Sequence, residues 1–283
     1  MLKQYTKDKD YEYKIDCFTM FITALVVGCG DTETSRSDGL LSAANGDHRS
    51  AENIKRNGPR HSVETLRFFG IKSDMTVMEI WPGSGGWYTE ILAPYLREQG
   101  TFYAASYVGD KDTPYFLKGV EKFEKKLAAN PSVYDKIKLV SIMPPTHVDP
   151  APEGSVDLIL SFRNLHNWVN NDMADAMFGV FFKALKPGGV LGVVAHRANP
   201  ETTGLASAKT GYLAESEAIK IAEAAGFVLR ERSELNANPK DTKDYPDGVW
   251  TLPPNYKKGE VDKAKYKAIG ESDRMTLKFS KPL

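Results

Sequence analysis

From Ala51 to Phe279 short aliphatic runs alternate with amphipathic stretches, and this succession restricts the chain to a small set of folds. Runs at Thr76 to Ile80, Thr101 to Ser106, Lys138 to Met143, Val156 to Ser161, Val190 to Ala195, Val228 to Leu235 and Met275 to Phe279 read as strands. Between them, Trp87 to Glu98, Tyr115 to Ala129, Asp172 to Leu185 and Ser216 to Ala225 read as helices. Phe116, Val120, Phe123 and Leu127 share one face of the second of these. Ser62 to Phe69 reads as a leading helix, with Ser62 as its cap and Gly70 as its stop. The pattern predicts one α/β domain over residues 51–283, with a seven-stranded, mostly parallel sheet and helices on both faces. Asn236 to Asp273 is polar and Pro-rich and is expected to be irregular.

Hydrophobic residues make up 41% of the 283, enough for a substantial core. Thirty-seven basic and 37 acidic residues cancel, which removes the usual electrostatic reason to expect a nucleic-acid partner. The two cysteines, Cys17 and Cys29, both precede the domain, so a disulfide framework or a four-cysteine zinc site is excluded. No metal is expected, because His48 and His147 have no second ligand near them in sequence. Cys17 to Gly28 is apolar and uncharged, too short for a permanent span and of signal-peptide length. It ends Val26-Val27-Gly28-Cys29, similar to a bacterial lipobox, and the polar stretch from Gly30 to Arg49 reads as a tether. The expected organisation is a leader over residues 1–29, a tether over 30–50 and the domain thereafter. The protein would then be an exported lipoprotein held on a membrane by a lipid on Cys29. A buried N-terminal helix in a cytoplasmic protein is the other reading.

The stretch with most chemical content is Val77-Met78-Glu79-Ile80-Trp81-Pro82-Gly83-Ser84-Gly85-Gly86-Trp87, at the first strand-to-helix turn. Glu79 stands in an aliphatic strand, where a carboxylate needs a partner. Glycines at 83, 85 and 86 let the backbone approach a ligand without an intervening Cβ. Tyr88 stands where a dinucleotide fingerprint would carry its third glycine.

This stretch resembles motif I of the class I S-adenosylmethionine (SAM)-dependent methyltransferases, an acidic residue on strand one followed by spaced glycines. Gly154-Ser155-Val156-Asp157-Leu158-Ile159, Leu185-Lys186-Pro187-Gly188-Gly189 and Ala222-Glu223-Ala224-Ala225-Gly226-Phe227 are similar to later motifs of that family, in order and spacing. Glu79-Ile80-Trp81-Pro82-Gly83 with Asn164-Leu165-His166-Asn167-Trp168 is similar to a group of predicted, often exported, bacterial methyltransferases. The resemblance implies a Rossmann-like methyltransferase fold and SAM as cofactor. It places the amino-acid end of SAM on Gly83 and Gly85, with Glu79 toward its ammonium or tying down the glycine loop. Trp81, Ser161 and Arg163 are further candidates for cofactor contact. The family's acidic residue after strand two is missing, since the strand ends Ala105-Ser106-Tyr107, so Tyr107 is the candidate there. Met143 with Pro144 is the candidate surface for adenine.

Ligands of such a sheet meet the carboxyl ends of its strands. Strand four leaves through Ser161-Phe162-Arg163-Asn164-Leu165-His166-Asn167-Trp168, a run too polar for a buried turn. Asn164 is the candidate for orienting a substrate heteroatom, and His166 the candidate general base. A helix cap for His166 and a core position for Trp168 are the plain alternatives. His196 after strand five is the second candidate base, with Arg197 toward an anionic substrate group or simply on the surface. His61 and Tyr212 are candidate lid residues, and Trp250 either covers the pocket or packs its own loop down. The leading expectation is a SAM-dependent methyltransferase of a small molecule, and the rival is a non-catalytic binding module on the same fold. A nicotinamide-dependent oxidoreductase is disfavoured by Tyr88 and by the missing acid after strand two.

Overall fold

The computed structural model describes residues 39–283. The leader, Cys17, Cys29 and the lipobox lie outside the described residues. Seven strands form one sheet: β1 (Thr76–Ile80), β2 (Thr101–Ser106), β3 (Lys138–Ser141), β4 (Val156–Phe162), β5 (Leu185–His196), β6 (Val228–Ser233) and β7 (Arg274–Ser280). Their spatial order is β3-β2-β1-β4-β5-β7-β6, with β7 antiparallel to both its neighbours and every other pair parallel. The direction of winding reverses between β1 and β4, which opens a crevice beyond their carboxyl ends.

The helices are α1 (Ala51–Lys55), α2 (Asn57–Arg60), α3 (Ser62–Phe68), α4 (Thr89–Leu96), α5 (Pro114–Ala129), α6 (Pro131–Tyr134), α7 (Leu165–Asn170), α8 (Ala174–Ala184), α9 (Glu215–Ala224) and α10 (Lys263–Ile269). One face of the sheet is covered by α3, α4 and Phe123 of α5, which pack on Val77, Leu158 and Leu160. The other carries α7, α8 and α9 on Met78, Ile80, Ile159 and Leu191. Alternating side chains on doubly covered strands require both faces to be apolar, which explains the near-continuous aliphatic runs.

The expected strands are all present, with end shifts where side-chain pattern is a poor guide. Residues 186–189 are not a free turn before β5. They form a bulge within it, for Val156 pairs with Leu185 and Leu158 already with Val190. Gly188, at φ 75, carries this kink, and its N–H donates to Lys281 O (3.0 Å) beyond β7. Ser62 does not cap α3; the N-cap position falls on His61, at φ 41 and without a side-chain capping bond, and the Ser62 hydroxyl is buried without a partner. The insertion Asn236 to Asp273 is less irregular than its composition suggests, since it contains α10 and a 3-10 turn at Gly248–Thr251.

The tether reading is corrected for its described part. Residues 39–44 are helical, and Leu40 and Ala44 are buried against the α3–α4 face. Glu90 of α4 anchors this segment: it accepts from Arg49 Nε (3.0 Å), from Asn53 Nδ2 (3.0 Å to each oxygen) and from Lys126. The domain therefore begins before residue 50. A polar composition suggests solvation, but in this segment the polar groups bond to one another.

Candidate active site

The site is built on β1 and β4, neighbours whose ends share an uncommon backbone conformation. Trp81 follows β1 at φ 48 and Arg163 follows β4 at φ 64, both in the left-handed region. A non-glycine residue there costs roughly 1–2 kcal/mol, and such strain concentrates at functional sites. It also redirects side chains. By strict alternation Trp81 would share the face of Glu79, yet it lies in the same cluster as Ile80. There its indole N–H donates to Ile142 O (3.1 Å), and its ring meets Tyr107 and Trp168 edge-on at 5.5 and 5.8 Å.

Glu79 stays on the other face and is buried. Thr89 Oγ1 at the start of α4 donates to it (2.6 Å). Burial raises its pKa to about 7, against the smaller opposing pull of Thr89, Lys126 and Arg163. The three glycines divide by role. A Cβ on Gly86 would stand 2.6 Å from the Phe123 ring, so that glycine allows α5 to pack. A Cβ on Gly83 or Gly85 would meet nothing within 4 Å, so the space above these two is open. Lys126 donates to Gly85 O as well as to Glu90, which ties the turn to α5.

The tryptophans do not plug this opening. Trp81 is folded into the aromatic cluster, and Trp87 lies between the guanidinium groups of Arg49 and Arg60, at 4.8 and 4.3 Å from its ring centroid. The polar atom of the Trp81 side chain is spent on Ile142 O, which leaves only its ring for any contact with a cofactor. Tyr107 is likewise drawn into the core, packed on Trp81 and Phe116 with its hydroxyl against Gly119 of α5. Asp110, later in the loop, spends its Oδ1 on the local turn, where it accepts from Asp112 N, Thr113 N and Thr113 Oγ1 (2.9 Å each). Met143 is half-buried against the same cluster. The residues present thus fit the amino-acid end of SAM, at the open glycines beside Glu79, and β2 itself ends without a carboxylate for the ribose.

At the β4 end, the side-chain amide of Asn164 donates to Ile80 O (2.9 Å) and Trp81 O (3.3 Å). It clips the two strand ends together, so its role toward substrate is confined to its carbonyl oxygen. Ser161 is buried with its hydroxyl unpartnered. His166 and His196 come together, ring centroids 5.7 Å apart, although 30 residues separate them in the chain. His196 Nδ1 shares a hydrogen bond with Ser272 Oγ (2.5 Å), and His166 Nδ1 has no partner among the described residues. Trp250, from the 3-10 turn of the insertion, lies 5.8 Å from the His166 ring, and Tyr212 lies 6.2 Å from that of His196. The insertion covers this pair. Tyr212 is fixed rather than mobile: its hydroxyl donates to Asp241.

Both imidazoles are neutral. Burial, and secondarily Arg163, lowers His166 to about 4; burial, His166 and Arg163 lower His196 well below its usual value. His166 is therefore free to accept a proton at pH 7 but holds one weakly. The stability consequence has a definite sign. Below about 6.5 the unfolded chain takes up protons that the folded chain refuses, so stability falls between pH 6.5 and 4. We expect His166→Gln to lose about 3 kcal/mol less than the parent over that interval in urea unfolding, at one proton's worth of slope. Identical acid limbs in the two proteins would contradict a buried neutral His166.

Arg197 is corrected as an anion-binding group. It donates to Asp273 (3.1 and 3.0 Å), Glu234 (2.8 and 2.7 Å) and Glu215 (3.4 Å), leaving no donor for a ligand. A cavity of about 560 Å³ opens beside it, between Asn199, Glu215 and Asp273, and the basic groups on its wall, Arg197, Arg232 and Lys243, are each paired. A different arginine cluster was not foreseen. Glu271, just before β7, accepts from Arg56 Nε (2.8 Å), Arg60 Nε (3.2 Å) and Arg274 Nη1 (3.2 Å). Burial alone would raise its pKa, but Arg60, Arg274, Arg56 and Arg163 outweigh burial and hold it at about 2. Arg56 and Arg60 were readable as one helical face; the other members are more than 100 residues away in sequence and left no local signal.

The strand order, the open glycine turn at the winding reversal and the helices on both faces together constitute the Rossmann-like methyltransferase fold. Solved structures with this architecture include a SAM-dependent methyltransferase from Aquifex aeolicus (14% identity, TM-score 0.51, covering 86% of this chain and 97% of that one). A SAM-dependent methyltransferase from Methanosarcina mazei matches over 77% of this chain and 97% of its own (11% identity, TM-score 0.50). The [4+2]-cyclase SpnF matches over 88% and 94% (14% identity, TM-score 0.55). At such identities the likeness concerns the fold, and a cyclase among the neighbours shows that one architecture serves different reactions. No protein-family model matches the sequence, and no curated protein matches it.

Proposed function

We propose that the protein is a SAM-dependent methyltransferase acting on a small molecule. The observation that carries this reading is the unobstructed space above Gly83 and Gly85, next to a buried carboxylate poised near neutrality. SAM, when bound, supplies a methyl group on a cationic sulfur, and the S–C electron pair stays on sulfur as the acceptor's lone pair forms the new bond. The chain's own contribution is mostly alignment. Glu79 in its ionised form attracts the ammonium of the amino-acid end. Asn164 fixes the β1 and β4 ends relative to one another, and Trp250 with Tyr212 keeps water from the histidine pair. Where the acceptor is a hydroxyl, His166 takes its proton on the unpartnered Nδ1 as the nucleophile attacks. Its low basicity restricts this to an acceptor that acidifies along the reaction. The rival, a non-catalytic binding module, draws its support from the missing ribose acid.

Calorimetric titration with SAM and with S-adenosylhomocysteine tests the reading. Because Glu79 titrates near pH 7, binding of either should weaken about 5- to 10-fold from pH 7.5 to pH 6, following the ionised fraction. Glu79→Gln should bind more weakly and lose that pH dependence. No heat from either compound at millimolar concentration would remove SAM from the account.

A further inference from the structure

Three guanidinium groups, Arg56, Arg60 and Arg274, share the carboxylate of Glu271, and a fourth, Arg163, lies within electrostatic range of it. Arg60, Arg274 and Glu271 are buried, with side-chain exposures of 2, 5 and 9%. Glu271 satisfies only part of the cluster. Arg60 Nη1, Arg56 Nη2 and Arg274 Nε are buried donors with no acceptor. Arg163, held at its left-handed backbone position, makes no side-chain hydrogen bond or ion pair among the described residues, and burial pushes its pKa down to about 10. The groups facing this cluster are Tyr88, the neutral imidazoles of His166 and His196 and, within electrostatic range of Arg163, the carboxyl of Glu79, which already serves Thr89. The four guanidinium groups thus outnumber the carboxylate bonded among them, with Arg60 and Arg274 buried and Arg56 and Arg163 partly exposed, an arrangement that folding alone does not favour. Paired arginines, as around Arg197, are what a purely structural cluster looks like in this same protein.

We propose that Arg60, Arg163 and Arg274, with Arg56 behind them, form an anion site that holds a carboxylate or phosphate group of the small molecule accepted by the crevice. Unpartnered guanidinium donors suit such a group, which takes two parallel N–H bonds from one fork. The site lies near the proposed reaction centre, because Arg163 leaves β4 three residues before His166 and acts electrostatically on both Glu79 and His166. An anion there also offsets the like charge that a sulfonium would otherwise meet. That the anion belongs to the methyl acceptor rests on the function proposed above; the existence of the anion site does not.

The test is thermal unfolding and calorimetry of the full chain with malonate and with inorganic phosphate, at ionic strength held constant with sodium chloride. At saturation the malonate or the phosphate arm should raise the melting temperature by about 5 °C, and the responding arm identifies the group. Arg163→Gln should lose that shift and, having shed a repelled charge, melt no lower than the parent without ligand. Arg274→Lys, which keeps the charge but not the fork, should bind at least about 10-fold more weakly. Arg232→Gln, at an exposed paired arginine on the far cavity, should respond as the parent does. No shift with either anion, or equal shifts in the parent and Arg163→Gln, would overturn the site. A persistent anion shift in a protein that binds neither SAM nor S-adenosylhomocysteine would keep the site and discard the methyl acceptor.

Discussion

Gly85→Val is expected to abolish SAM binding, with at least a 100-fold loss of affinity in calorimetry, while the melting temperature changes little. Gly85 has no left-handed φ, and a Cβ built on it meets no atom within 4 Å, so a side chain starts there into open space. The added methyl groups fill only the space that the cofactor's amino-acid end would occupy. Gly83 is a less clean probe, because its φ of 70 makes any side chain strained whatever the space. Gly86→Val is the opposite case: it drives a side chain into Phe123 and should destabilise the domain before any ligand is added. A Gly85→Val protein that stays folded and binds SAM as the parent does would place the cofactor elsewhere or nowhere.

Glu90→Ala should be the most damaging single substitution for stability, about 3–5 kcal/mol and a melting temperature lower by about 10 °C. Glu90 is a buried carboxylate that receives Arg49, Asn53 and Lys126 at once. Its removal leaves the Arg49 guanidinium charged and buried against Trp87, which is costlier than never having had the pair. Residues 39–49 should then detach, which limited proteolysis would read as new cleavage in that segment while the sheet stays protected. A stability loss under 1 kcal/mol would mean that this segment is held by Leu40 and Ala44 alone.

The sheet was legible because its information is local. Thr76–Ile80 and Thr101–Ser106 were bounded correctly, since a doubly covered strand is an aliphatic run with polar punctuation. The glycine turn and Glu79 were legible for a related reason, an anomaly of residue type within an otherwise regular element. The hidden part depends on backbone sign and on contacts between distant segments. Nothing in the residue types at 81 and 163 announces a left-handed φ, yet that angle carries Trp81 to the face of Ile80 rather than that of Glu79. Arg197 looked available because a single arginine after a strand gives no sign of Glu234 and Asp273, and Trp250 lies 84 residues from the histidine it covers.

Periodicity and glycine placement by themselves determined the sheet, its helices and the position of the crevice, because burial of apolar surface follows spacing along the chain. Tertiary structure alone decided which polar groups are satisfied and which are left over. Arg197 is saturated and Arg60 is not, and that difference depends on carboxylates brought in from elsewhere in the chain, whose distances no local pattern encodes.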